Sequence, residues 1–187
     1  MPCVVYGDFE LIDAKGAVIR PVETENFSLQ RLQVDLVCQP GPGALFRQQV
    51  FEATGGWRPE LRQVPDFEFW LRASAGGRFV RVPEVLAQYR IHEASASFRA
   101  MPEARAEEIV QVVERWHQGS APAVRAAALS TAWCLSAKNH AQSGRAGRAL
   151  TRWWRAFQCA PGRAVRPASV RPVLSGLLRR AWYAGRA

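Results

Sequence analysis

No acidic residue follows Glu114, and lysine is almost missing: two lysines stand against 23 arginines. The four cysteines, Cys3, Cys38, Cys134 and Cys159, are scattered and form no CxxC pair, which excludes the spacing of a structural zinc cluster. No apolar run approaches the roughly 18 residues of a membrane span. The opening MPCVVYGDFELID has no basic residue ahead of its apolar stretch and so does not read as a secretory signal. Reduced cysteines and a cytoplasmic location are the expectations that follow. Apolar residues make up 48% of the 187, which excludes a disordered, charge-dominated chain.

What charge there is lies unevenly. Residues 1–114 carry 16 acidic and 12 basic side chains, while the remainder carries 13 basic and no acidic ones, within a net charge of +9. Such asymmetry predicts two parts with different surfaces. Arginine-rich amphipathic helices with Trp and Tyr suit the headgroup boundary of an anionic membrane, so a peripheral position on its inner face is one expectation. A solvated helical face in an arginine-biased chain is the plainer reading. Nucleic acid is the weakest of the three, because no recognised motif or aromatic–basic platform accompanies the charge.

Periodicity divides the chain near residue 100. Before it, strands at 4–12 and 17–19 flank the turn Asp13-Ala14-Lys15-Gly16, and Ser28 is placed to cap a short helix running to Val37. A short strand at 44–46 leads to a helix at 48–54 stopped by Gly55-Gly56. A helical run starts at Asp66 and closes at Gly76-Gly77, and two strands are read at 79–82 and 85–91. This alternation predicts an α/β class. Beyond Met101 the pattern is helical throughout. Trp133, Ala137, His140, Gly144, Ala149, Trp153, Ala156 and Pro161 fall at the small, aromatic and turn positions of one tetratricopeptide-like hairpin, near 130–163. A last helix is expected over about 168–183.

Four segments come in order: VVYGDFELIDAKG (4–16), CQPGPGALFRQQVFEATGGW (38–57), VPDFEFWLR (64–72) and VPEVLAQYRIHEASAS (82–97). Together they resemble the second, acceptor-binding half of family 2 glycosyltransferases of the GT-A fold. The resemblance implies a partial GT-A mixed sheet with helices over 1–100 and a helical extension over 101–187. It implies inverting transfer of a sugar from a nucleotide-sugar donor to a glycan or lipid-linked acceptor. Such transfer needs a carboxylate to take the acceptor hydroxyl's proton, and positive charge or a cation against the leaving diphosphate. Asp66 matches the family's base; Pro65 stands where relatives often have a second acid. Without the resemblance, Asp66 reads as a helix N-cap. Glu68 is either an acceptor-orienting group or a solvated first-turn carboxylate.

His92 matches a late histidine that binds the metal or the diphosphate, with Arg90 adding positive charge, and Glu93–Ser97 resembles a donor-covering loop. Gly41, Gly43 and Ala44 match the small-residue stretch on the acceptor side, where absent side chains admit a sugar. Trp57 is either an acceptor-stacking ring or an edge of the core, and Phe69 and Trp70 read as core. The complete enzyme is expected to use a divalent cation, Mg or Mn. Relatives carry a nucleotide-binding unit and an acidic pair ahead of the strand written here as VVYGDF. The resemblance therefore implies that this donor half is absent, that residues 4–12 leave an exposed sheet edge, and that the chain by itself is inactive. The alternative is a non-catalytic half-domain that binds a glycan or another protein.

Overall fold

The computed structural model describes residues 4–92 and 101–184, the last eight as backbone only. They divide into two compact units: residues 4–32, 37–60 and 65–92 form one, and 33–36, 61–64 and 101–184 the other. The first is mixed α/β; the second is helical.

In the α/β unit the strand β1 (Val4–Ile12) is central. It pairs antiparallel with β2 (Val18–Val22) through Phe9–Ile12 and antiparallel with β3 (Leu45–Phe46) through Val4 and Val5. It pairs parallel with β4 (Phe79–Arg90) along its whole length. Since β4 occupies one edge from end to end, β2 and β3 share the other. The exposed edge expected along residues 4–12 is thus not there; exposed apolar side chains stand instead on β4, at Val85, Leu86 and Tyr89. Residues 79–90 form one strand rather than two because the register slips without breaking. Gly7 faces Val82 and Asp8 faces Val85, so Pro83 and Glu84 bulge out where proline has no N–H for the ladder. Gly7 admits that bulge: a Cβ there would lie 2.6 Å from Leu86 Cδ1 and 2.7 Å from the Glu84 carbonyl oxygen.

β2 also runs further than its apolar start, through Arg20, Pro21 and Val22. Pro21 is tolerated because β2 pairs with β1 alone among the described residues. The helix after Ser28 is shorter than its cap suggested. Ser28 Oγ does accept the Arg31 N–H, at 3.3 Å, but α1 stops at Leu29–Gln33, and Leu36 turns left-handed at φ 55°. α2 (Gln48–Thr54) ends on Gly55 at φ 72°, and α3 (Pro65–Ser74) starts with the proline favoured in a first turn.

Around α3 an aromatic cluster supplies the core. Phe69 stacks on Trp57 with centroids 4.5 Å apart, while Phe46 meets Trp57, Phe69 and Trp70 edge-on or tilted. Phe27 stacks on Phe79 at 4.0 Å. Each such pair contributes about 1 kcal/mol beyond the area it buries. Below β1 a buried ion pair fastens the sheet: Arg81 bridges both oxygens of Asp8, each at 2.8 Å, and Thr24 donates to the same carboxylate. The Thr24 backbone N–H, and then Arg81, hold the Asp8 carboxyl below its ordinary range.

The second unit consists of α4 (Glu103–Trp116), α5 (Pro122–Gln142), α6 (Ala146–Cys159), α7 (Pro161–Ala164) and α8 (Pro167–Ala184). Helices α5 and α6 form the hairpin, turning at Gly144 with φ 74°. Their contact is made of small residues: Ala137, Ala141 and Ala149 are buried with Val173, and Trp153 packs against them. A Cβ on Gly176 would come within 2.9 Å of Ala141 Cβ, so α8 crosses α5 closely. His140 is fully buried. Arg145 Nε donates to its Nδ1 at 2.8 Å, which leaves Nε2 to donate to Glu107 at 2.9 Å. Glu108 is buried and accepts the backbone N–H groups of Arg62, Gln63 and Val64.

The arginines are less isolated than the charge split suggested. Arg152 pairs with Glu107 and Arg148 with Glu103, at 2.6 and 3.3 Å, and Arg163 pairs with Asp35 at 2.8 Å. Among the described residues no helix is long and apolar enough to cross a membrane.

Candidate functional site

The α/β unit holds a cavity of about 630 Å³, and residues from six stretches of chain line it. Strand pairing builds its floor. Leu11 faces Arg20 on β2 and Tyr89 on β4, and Phe9 faces Val22 and Ala87 in the same way. Side chains at i and i+2 share one face of a sheet, so Arg20, Leu11 and Tyr89 form one row and Val22, Phe9 and Ala87 the next. The segment 40–44 crosses over these rows, and Asp66, Trp70 and Trp57 close the far wall.

Asp66 is exposed and is the second residue of α3, not its N-cap, so the capping role does not describe it. Its Oδ1 accepts the Trp57 Nε1–H at 2.8 Å. That bond holds the carboxylate by one of its two oxygens. Trp57 is 40% exposed, but one face of its indole is already covered by Phe69. Its firmest function in the site is as a donor to Asp66, with its ring edge as wall.

Gly41, Gly43 and Ala44 line the cavity, and the sheet beneath explains their small size. A Cβ on Gly41 would sit 3.1 Å from Phe9 Cε1, and one on Gly43 2.8 Å from Ala87 Cβ. The space that these glycines leave is taken by the sheet, so they let the loop lie down on the floor. Gly43, at φ 80°, also needs the left-handed freedom. Cys38 stands at the lip with its Sγ turned in to the Pro40 carbonyl at 3.3 Å. Burial of the thiol, and next the charge of Asp66, push it up to about 12, so it is no thiolate nucleophile.

Glu68 fits neither of its two expected roles. It is buried, away from the cavity lining, and held by Arg72 at 2.6 and 2.8 Å and by Arg58 at 2.7 Å. Arg72 also donates to the carbonyls of Thr54 and Gly56, which ties the end of α2 to α3. Burial opposes the charge of Glu68, yet the hydrogen bonds from Arg72 and then Arg58 outweigh it and lower its pKa.

Arg90 and His92 are not among the cavity's lining residues. Arg90 Nη1 donates to the carbonyls of Asp13 and Ala14 at 2.8 and 3.0 Å, bracing the β1–β2 turn. His92 is exposed just beyond β4. A hard divalent cation needs several oxygen ligands, and among the described residues no group of three His, Cys, Asp or Glu side chains is placed to hold one. No step is routed through the cation that the resemblance implies. Residues 93–97, read as a donor-covering loop, lie outside the described residues.

The sequence reading missed Arg20, Tyr89 and the floor residues. Their signal was cross-strand register: once β2 is allowed to run through Pro21, Arg20 falls opposite Leu11 on the cavity face. Neither a protein-family model nor a curated protein matches the chain.

Proposed function

We infer that the α/β unit is the acceptor side of an inverting, family 2-like glycosyltransferase of the GT-A type, with Asp66 as the base. One observation carries the reading. Residues 41–44, Trp57 and Asp66, distant in sequence and each assigned to the acceptor side by resemblance, line a single cavity in which the carboxylate is oriented by an indole N–H. In this reading the acceptor sugar lies on the apolar floor of Phe9 and Leu11 with a hydroxyl against Asp66 Oδ2. The carboxylate takes that proton as the oxygen attacks the anomeric carbon of a donor sugar, whose bond to the nucleotide diphosphate breaks with inversion. Trp57 keeps the accepting oxygen in place, so that the geometry of attack is set before the acceptor arrives. The nucleotide-sugar donor and its cation are given no binding residues in this proposal.

The test is glycan binding by saturation-transfer NMR across a panel of oligosaccharides. Saturable binding to the wild-type chain, lost when Ala44→Trp fills the cavity, is the expected result. No binding, or binding indifferent to Ala44→Trp, overturns the reading.

A second partner, an anionic membrane surface, draws on α6. That helix exposes Leu150 and Trp154 by 56% and 53%, on a surface shared with Arg148 and Arg155. Apolar side chains framed by arginines match a headgroup boundary.

A further inference from the structure

We propose that the acceptor taken by this cavity carries an anionic group, a carboxylate or a phosphate, and that Arg20 selects it. The inference rests on the acceptor reading of the cavity and names the chemical class of its ligand. Among the fifteen lining residues only two bear a charge, Asp66 and Arg20. Asp66 is already engaged by Trp57. Among the described residues Arg20 has no carboxylate partner; its bond is a long one, from Nη1 to the Pro21 carbonyl at 3.4 Å. By contrast, Arg81, Arg72 and Arg58 in the same unit are each bound to a carboxylate.

Arg20 is exposed, and its position on the sheet sets what it can meet. Register places it on the cavity face of β2, beside Leu11 and one residue pair from Val22 and Phe9. Tyr89 stands across Leu11, about 10 Å away at the usual spacing of strands. Apolar neighbours weaken the screening by water and so strengthen a charge pair formed there. The planar fork of arginine matches a carboxylate or phosphate with two parallel hydrogen bonds. The cavity therefore offers one carboxylate and one guanidinium over an apolar floor. A ligand complementary to it presents a hydroxyl at the Asp66 end and an anion at the Arg20 end; reversed, its anion would meet the carboxylate. A neutral sugar satisfies only the first contact.

Titration calorimetry with three ligands tests this: a uronate-containing oligosaccharide, its carboxyl-reduced neutral counterpart, and a phosphorylated sugar of similar size. The expected result is that one or both anionic ligands bind at least about tenfold more tightly than the neutral one, as one charge-assisted bidentate contact supplies. Arg20→Gln then abolishes the preference, bringing the anionic ligands to the affinity of the neutral one, while Arg20→Lys keeps part of it. Comparing the uronate and phosphate arms identifies which anion is preferred. Equal binding of neutral and anionic ligands, or a preference that survives Arg20→Gln, overturns the proposal and leaves the acceptor reading standing. No glycan binding of any kind overturns both.

Discussion

At the residue scale, two carboxylates two positions apart on α3 have opposite fates. Asp66 faces solvent and meets one indole N–H; Glu68 is buried between Arg58 and Arg72. Sequence alone left both open, since first-turn acids serve dipoles, caps and chemistry alike. Arginines four and ten residues away decided the matter, and the second needed the fold to bring it near. Glu68→Gln should destabilise the chain by about 3 kcal/mol at neutral pH, because it leaves two guanidinium groups around a neutral amide. The pH dependence has a definite sign. The folded-state pKa of Glu68 lies below its ordinary value near 4.5, so its contribution is present above that value and is lost as pH falls through the depressed one. Urea denaturation of wild type and variant at pH 7 and pH 3 should therefore show a gap that closes in acid; an equal gap at both would refute the pairing. Trp57→Phe removes the donor to Asp66 and should cost only about 1 kcal/mol, since the bond is part-exposed. A loss several times larger in the same titration would mean that the indole is mainly core.

At the scale of elements, the long β4 and the basic α6 each depend on a local detail. A bulge at Pro83-Glu84 keeps β4 in register with β1, and Gly7 is the residue that makes room for it. Gly7→Val should cost about 1–3 kcal/mol through overpacking against Leu86 and the Glu84 carbonyl. Thermal unfolding measures this, and an unchanged midpoint would show that the bulge yields freely. Helix boundaries at 48–54 and the turn at Gly144 were legible, because glycine marks them by a backbone conformation that other residues resist. The continuity of β4 and the reach of β2 were not, because proline reads as a break unless one knows which edge is free. For α6, Arg148→Glu with Arg155→Glu should lower association with phosphatidylserine vesicles by about tenfold or more, at roughly 1 kcal/mol for each basic side chain. Co-sedimentation at low salt decides it: no pelleting of the wild-type chain would remove the membrane partner.

At the scale of the whole molecule, the division of charge at Glu114 falls inside α4, past the border between the two units. Most acids lie in the α/β unit, and two of those on α4, Glu103 and Glu107, pair with arginines of α6 within the helical unit. Composition made the two parts visible but not the pairing, since Glu103 and Arg148 meet only after α5 has turned the chain back. The cavity was legible in part for a similar reason. Residues carried by local motifs, such as Gly41, Trp57 and Asp66, were readable in the sequence. Those supplied by strand register, such as Arg20 and Tyr89, were not. The central claim is that this cavity receives a glycan acceptor at Asp66, and the Trp57 indole N–H reports on it directly. In a ¹⁵N-correlated spectrum the Trp57 indole resonance, assigned by its disappearance in Trp57→Phe, should shift saturably on titration with a binding oligosaccharide, while those of Trp153 and Trp154 in the helical unit stay in place. An unmoved Trp57 resonance under saturating glycan, or shifts confined to Trp153 and Trp154, would contradict the account.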